Sequence, residues 1–393
     1  MLTASDDNTI RIWDAQNEKE IDVLRGHTSS VYSAAWGPDG KQILSTSNDN
    51  DAILWGVFSN KKVVMMLNGH RGTVQSVDVA SNNLKLVSGG RDNSVRIWNL
   101  TTANQERVML GHTDRVVSVR WSPDDTQIAS ASFDRTLKIW DATTGALLNT
   151  CKPHIDELRE VSWAPITKRI ASSSLDKTIA ILDPTSCVIQ LRLMGHKAES
   201  NGIAWSQDEQ FLFSSSQDGS IFKWDLTTGQ IMNRKDLPNA ESIIALALSP
   251  NGAQIAAVTL SGNVFILNAE TLEIQLTFHA HHLRIYHVSW SKNSKYIATT
   301  GQDGTLKIWR SNTGELLSSK TVANVIYSTD WLQDNKRLAI AMFEGQIRLE
   351  FVFKEDLLDY AQTRVTRNLL CEERRIYLGE ARGCPASPFI VTP

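Results

Sequence analysis

Short runs in which apolar and polar residues alternate fill most of the chain. Between residues 111 and 150 they read VVSVRW, QIASAS, TLKIW and ALLNT, separated by SPDD, FDR and DATTG. Alternation at period two, rich in β-branched and aromatic residues, marks strands with one buried face. The intervening clusters of Pro, Asp, Gly and Thr are turns. Four strands joined by short turns predict an antiparallel four-stranded meander.

The pattern recurs, so it has to be read as a repeat before any chemistry is assigned to it. The third strand of each unit closes at Trp13, Trp55, Trp98, Trp140, Leu182, Trp224, Leu267 and Trp309, in steps of 42 or 43 residues. A second landmark, His27, His70, His112, His154 and His196, holds the same phase, and each His lies 22 residues before an Asp. His281 and Asp303 keep that interval too. The other six tryptophans (Trp36, Trp121, Trp163, Trp205, Trp290, Trp331) fall on the first strand of a unit. All twelve therefore occupy repeat positions and read as packing between units, not as an aromatic platform for a ligand. A lone sheet of this kind cannot bury both faces, so neighbours must stack.

With Gly-His opening and Trp-Asp closing its units, the chain resembles the WD-repeat β-propeller family over residues 1–352. The resemblance implies an all-β propeller of four-stranded antiparallel blades. It also implies a buried tetrad in each complete blade: the His, a Ser or Thr on the second strand, the turn Asp and the third-strand Trp. Complete sets are His27/Ser45/Asp49/Trp55, His70/Ser88/Asp92/Trp98, His112/Ser130/Asp134/Trp140, His196/Ser214/Asp218/Trp224 and His281/Thr299/Asp303/Trp309. Ser, His and Asp together suggest a hydrolase triad, but a set written five times without a G-x-S-x-G elbow is architecture. His154/Ser172/Asp176 lacks its Trp, which is Leu182. The unit near 239–270 has Asn239, Ala257, Ser261 and Leu267 at the four positions, and the last unit, near 322–352, has Val322 in place of His. These blades are expected to rest on packing alone.

The chain opens on the second and third strands of a unit, with the first outer strand expected at about residues 20–24; eight units follow. Two arrangements fit. The preferred one is an eight-bladed ring with the leading hairpin added to it. The other is a seven-bladed ring of the last seven units, the earlier part being the remnant of an upstream propeller. Beyond the propeller, residues 353–393 lose the alternation. Leu357, Leu358, Ala361 and Val365 fall at helical spacing, and a second helical run from Glu372 reaches Leu378. This predicts a short helical tail. Arg364-Val365-Thr366-Arg367, Leu369, Glu372-Glu373-Arg374 and Tyr377-Leu378 resemble the ends of bacterial signal-transduction NTPase proteins that carry C-terminal WD-repeat arrays, although Leu370-Cys371 replaces their usual Thr-Pro.

A formal net charge of −3 gives no reason to expect nucleic acid or an anionic membrane as partner. The four cysteines are scattered without a C-x-x-C pair, which suggests a reducing, cytoplasmic setting and argues against disulfides and structural zinc. No phosphate-binding glycine motif is present. The HAHH run at 279–282 looks like a metal site, but His281 is committed to its repeat position, so no metal or cofactor is expected.

The resemblance implies binding at the narrower face of the propeller, through residues three and five after the His and the residue before the turn Asp. On that basis the partner-binding candidates are Tyr32, Arg91, Arg115, Phe133, Arg159, Tyr286, Tyr327 and Phe343. Tyr and Arg are enriched at interaction hot spots. Arg91, Arg115 and Arg159 come from consecutive units and suit an acidic segment; Tyr32, Tyr286, Tyr327 and Phe343 would be neighbours if the ring closed at eight. The expected function is a non-catalytic scaffold or sensor in a signalling assembly, with a protein or peptide partner and an NTPase module in the same or another chain. The alternatives are a propeller hydrolase, for which no unrepeated cluster of titratable channel residues is visible, and a non-functional fragment of a longer protein.

Overall fold

In a computed structural model the alternating runs are strands joined by tight turns. The structure describes residues 2–13, 20–26, 30–36, 42–47, 52–56, 61–62, 65–321, 325–343, 345–353 and 356. The expected helical tail lies outside the described residues apart from Asp356.

The chain divides into two units, Met1–Val64 with Lys354–Pro393, and Met65–Phe353. The first unit holds a three-stranded sheet, Leu2–Ala4, Thr9–Trp13 and Glu20–Arg25, and a four-stranded one, Val31–Trp36, Gln42–Ser47, Ala52–Gly56 and Lys61–Lys62. Ile10 and Ile12 of one sheet pack with Val31, Ile43 and Trp55 of the other. The outer strand expected near 20–24 is therefore present.

The second unit is a ring of seven four-stranded sheets. Each blade runs outward in chain order, as in Val116–Trp121, Gln127–Ser132, Leu137–Asp141 and Leu147–Cys151. The inner strand of each blade packs against that of the next, and Ile326–Trp331 of the seventh packs against Val74–Val79 of the first. The seventh blade has its outer strand from the start of the unit: Met65–Asn68 pairs with Gln346–Phe351, Leu67 opposite Ile347. The count of eight four-stranded antiparallel sheets is met, and the seven of this unit close on one another.

The blade interfaces are apolar. Val87, Val95, Ile97, Met109, Val116, Val119, Ile128 and Trp140 form one apolar cluster between the first two blades, nearly all fully buried. At about 25 cal/mol per Å² of buried apolar surface, repeated round the ring, such clusters are the main stabilising contribution. Among the described side chains, first-strand tryptophans do what their repeat positions predict. First-strand indoles reach across to the previous blade: Trp121 donates to the Asp78 carbonyl, Trp163 to Arg120, Trp205 to Ser162 and Trp290 to Ala247, at 3.0–3.2 Å.

The tetrads of the first, second and sixth blades are built as expected, while in the fourth His196 Nδ1 meets Ser220 at 2.9 Å and lies 3.8 Å from Asp218. In the second blade His112 Nδ1 lies 2.8 Å from Asp134, His112 Nε2 lies 2.8 Å from Ser130 Oγ, and the Trp140 indole donates to that Oγ at 2.8 Å. Asp134 also accepts the turn N–H groups of Thr113 and Thr136 at 3.0 and 2.9 Å. Burial alone would raise its carboxyl, but the bonds from His112 and Thr136 outweigh it and hold the pKa well below the usual carboxylate range. His27 and Asp49 lie outside the described residues, though Trp55 donates to Ser45 at 2.7 Å. The fifth blade, near 239–270, does not rest on packing alone. Glu241 accepts from Ser261 and, at 3.0 Å, from the Asn263 amide, which restores a carboxylate at that corner.

A second expectation is overturned. Cys151 and Cys187 form a disulfide, with Cα atoms 5.3 Å apart across 36 residues. Cys151 ends the outer strand of the second blade, and Cys187 lies in the turn before the outer strand of the third, packed against the same apolar cluster. Spacing along the chain hid a pairing that stacking of neighbouring blades creates. Among the described residues no helix is long and apolar enough to cross a membrane.

Candidate functional site

Each blade of the ring carries an irregularity at the same place on its inner strand. Val116 pairs with Ser132 and Ser118 with Ala131, so Val117 is left as the extra residue of a β-bulge. Arg159, Ile244, Tyr286 and Tyr327 are skipped in the same way, as is Gln75, while in the fourth blade the shift spans Asn201 and Gly202. A bulge bends the strand and re-aims the side chain of its extra residue. Here Gln75, Val117, Arg159, Asn201, Ile244, Tyr286 and Tyr327 all line a single cavity of about 410 Å³. The fifth position after the His is thus a collar built by seven bulges.

Six of the eight candidate residues line that cavity: Arg91, Arg115, Phe133, Arg159, Tyr286 and Tyr327. Phe343, 47% exposed, holds the turn position of the seventh blade but is not among the lining residues. Tyr32 belongs to the Val31–Trp36 strand of the other unit, and its side chain lies outside the described residues. Of the foreseen aromatic cluster, Tyr286 and Tyr327 meet, with ring centroids 4.8 Å apart.

The cavity is basic. Arg91, Arg115, Arg120, Arg159 and Arg284 line it against one acid, Glu160. Arg120 is paired with Glu160 at 2.9 Å and Arg159 with Glu199 at 2.6 Å. The Arg115 guanidinium lies 3.8 Å from the centre of the Phe133 ring, a cation–π contact, and Arg284 lies 5.8 Å from that of Tyr286. Burial, and then the like charge of Arg91, push the Arg115 pKa down. Burial first and the Tyr286 neighbour second push the Tyr327 hydroxyl up.

Deeper in the channel sits a cluster that the sequence reading missed: Asp78, Arg120, Glu160, His287, Lys292 and Asp330, lining an adjoining cavity of about 370 Å³. Its acids serve neighbouring blades. Asp330 accepts the Val79 N–H at 2.9 Å, Asp78 the Trp121 N–H at 2.7 Å, and Glu160 the Ile203 N–H at 3.0 Å. Lys292 pairs with Asp330 at 3.2 Å. Burial, with the Asp330 charge second, pushes the Asp78 carboxyl up to about 7. Burial, then Arg120, pushes His287 down to about 3, so its ring is neutral. The signal was the residue eight after the His: Asp78, Arg120 and Asp330 stand where Ser162, Ala204, Ala247 and Ser289 stand in other blades. His281, the one histidine of the HAHH run in a repeat position, is bonded to Thr299 at 2.9 Å and to Asp303 at 3.0 Å.

Comparison with known proteins agrees with this architecture. The model of the IFT122 first beta-propeller matches residues 132–364, more than half of the chain. The WD domain, G-beta repeat, matches residues 1–14, 18–56, 61–99 and 103–141. Coronin-7 of Mus musculus is 43% identical over 49 residues, 12% of this chain and 5% of that protein. SIR4-interacting protein SIF2 of Saccharomyces cerevisiae is 40% identical over 57 residues, 14% of this chain and 10% of that protein. Nuclear distribution protein PAC1 of Arthroderma benhamiae is 39% identical over 57 residues, 14% of this chain and 12% of that protein. The chain thus covers only 5 to 12% of the length of these relatives. Its repeat, tetrads and ring of blades, together with these matches, place the chain in the WD-repeat β-propeller family, alongside the IFT122 first beta-propeller.

Proposed function

We propose that this chain is a non-catalytic protein-interaction scaffold that takes a protein or peptide partner at the collar of its seven-bladed ring, and that it acts as the sensing end of a signalling assembly. The observation that carries this is the collar itself. Seven bulges aim side chains of six kinds into one basic, aromatic cavity, whereas the tetrads that repeat are spent on holding blades. Arg and Tyr in such a setting are the residue types of binding hot spots. In the assembly, partner contact would favour one docking of the propeller against an NTPase module, a shift between pre-existing states. A cytoplasmic setting belongs to the same proposal, with the Cys151–Cys187 disulfide as the observation that stands against it.

The channel cluster is the observation that favours a hydrolase. Its acids, however, are engaged by backbone N–H groups and by Arg120 and Lys292, which suits stapling better than proton transfer. The test is site-specific photocrosslinking. A photoreactive side chain at Phe133 or Tyr286 should capture a partner that the same group at the exposed outer-strand residue Leu148 does not. Equal capture from Leu148 would count against the collar.

A further inference from the structure

Three buried side-chain atoms of the collar have no hydrogen-bond partner: Gln75 Nε2, Arg159 Nε and Ser328 Oγ. Two of these are N–H donors and the third is a hydroxyl able to donate. Ser328 is only 2% exposed, so its unmet bond is costly unless something enters to meet it. The same cavity holds Arg91, Arg115 and Arg284, for which no ion pair exists among the described residues, while its other two arginines are matched by Glu160 and Glu199. Asp114 accepts the Arg115 backbone N–H, and with Glu157 reaches the Arg115 guanidinium only through space. What is left over is therefore of one kind, donors and positive charge facing into a pocket.

We infer that the collar is an oxyanion socket: the partner inserts one acidic side chain, a carboxylate or a phosphate ester, into the channel mouth between Arg115, Arg91 and Arg284, where Gln75 and Ser328 complete its hydrogen bonds. This rests on the collar being the partner-binding face and names what it binds. It differs from an acidic stretch laid across consecutive arginines, because Gln75 and Ser328 lie on the first and seventh blades and only a group entering the mouth reaches them. Tyr286 and Tyr327 then flank the entering residue and accommodate a flat or apolar neighbour. A charge-assisted hydrogen bond to such a group, lost in a variant, costs about tenfold or more in affinity.

The test uses the full chain and synthetic peptide pools with uncharged mixed flanks around one fixed residue, Glu, phosphoserine, Gln or Lys. The Glu pool, the phosphoserine pool or both should bind at least about tenfold more tightly than the Gln pool, and more weakly as salt rises. Which of the two wins tells carboxylate from phosphate. Arg115→Gln and Ser328→Ala should each remove about tenfold of that preference, with unfolding midpoints close to that of the unchanged chain to certify folding. Equal or better binding of the Gln or Lys pool overturns the socket while leaving the collar as a binding face. Silence from all four pools overturns the socket as well, and crosslinking from Phe133 and Tyr286 then decides whether the face binds anything.

Discussion

Replacing Ser130 by Ala tests whether the tetrads hold blades through their hydrogen bonds or merely accompany good packing. Ser130 Oγ is fully buried and is the hub of its set: it accepts the Trp140 indole N–H at 2.8 Å and meets His112 Nε2 at 2.8 Å. Alanine leaves a buried donor and a buried acceptor unmet. At about 1–3 kcal/mol for each, less some relaxation, the loss should be about 2–4 kcal/mol. The third blade supplies an internal control. Ser172 is equally buried and meets His154 Nε2 at 3.0 Å, but Leu182 stands in place of the indole, so alanine there leaves no indole N–H unmet. Ser172→Ala should therefore cost about 1–2 kcal/mol, less than Ser130→Ala. Urea unfolding measures both, and native-state hydrogen exchange localises each loss to its own blade. If Ser130→Ala costs no more than Ser172→Ala, the hydrogen-bonded hub is not what stabilises the blade, and the reasoning fails.

Stability should also fall as pH rises, through Asp78. Its folded pKa of about 7 exceeds the ordinary 3.8, so its contribution is complete below about pH 4 and is lost through about pH 7, with a ceiling of about 4 kcal/mol; Asp78→Asn should flatten that slope between pH 5 and 8 in urea midpoints. Reducing the Cys151–Cys187 bond, which spans 36 residues, should lower stability by about 3–4 kcal/mol, read as a drop in the unfolding midpoint with dithiothreitol that the Cys151→Ala/Cys187→Ala variant does not show. Gly262 has φ +85° and a Cβ there would lie 1.8 Å from the His281 carbonyl oxygen, so Gly262→Ala should cost well over about 2 kcal/mol. Gly252, at φ +72° with open space around it, should lose only the conformational strain of about 1 kcal/mol on the same substitution; equal thermal shifts would refute the steric part of that contrast.

Much of this architecture was legible because its cause is local. Alternation marks strands, and the 22-residue interval from His112 to Asp134 is the length of two strands and their turns, so the tetrad is written into spacing. The residue five after the His was nominated from resemblance; the bulge gives the physical reason why Tyr286 and Tyr327 face the mouth. What spacing could not reveal is what neighbouring blades do to one another. Cys151 meets Cys187 only because blades stack. Asp78 and Asp330 look like ordinary polar positions on inner strands until seven such strands converge and their carboxylates share one channel. Glu241 lies outside the four tetrad positions, so its substitution for the missing Asp carried no spacing signal. The pairing of Met65–Asn68 with the last blade was equally hidden, since alternation identifies a strand and is silent about its partner.

That last pairing has a consequence for how the ring is made. Six of the seven sheets are meanders whose strands are consecutive, and each can form as soon as its own residues leave the ribosome. The seventh waits for a strand synthesised before all the others of the ring, and the seam it closes joins groups as far apart as Val79 and Asp330, 251 residues along the chain. Loop-closure entropy grows only logarithmically with length, about 0.6 kcal/mol per doubling, so the stable blades in between bring the two ends together at little added cost. Assembly is then a row of blades that curls shut. The order of synthesis places the one nonlocal sheet last, and a circular permutant opened in a turn between two other blades would move the seam without altering a single contact in the finished ring.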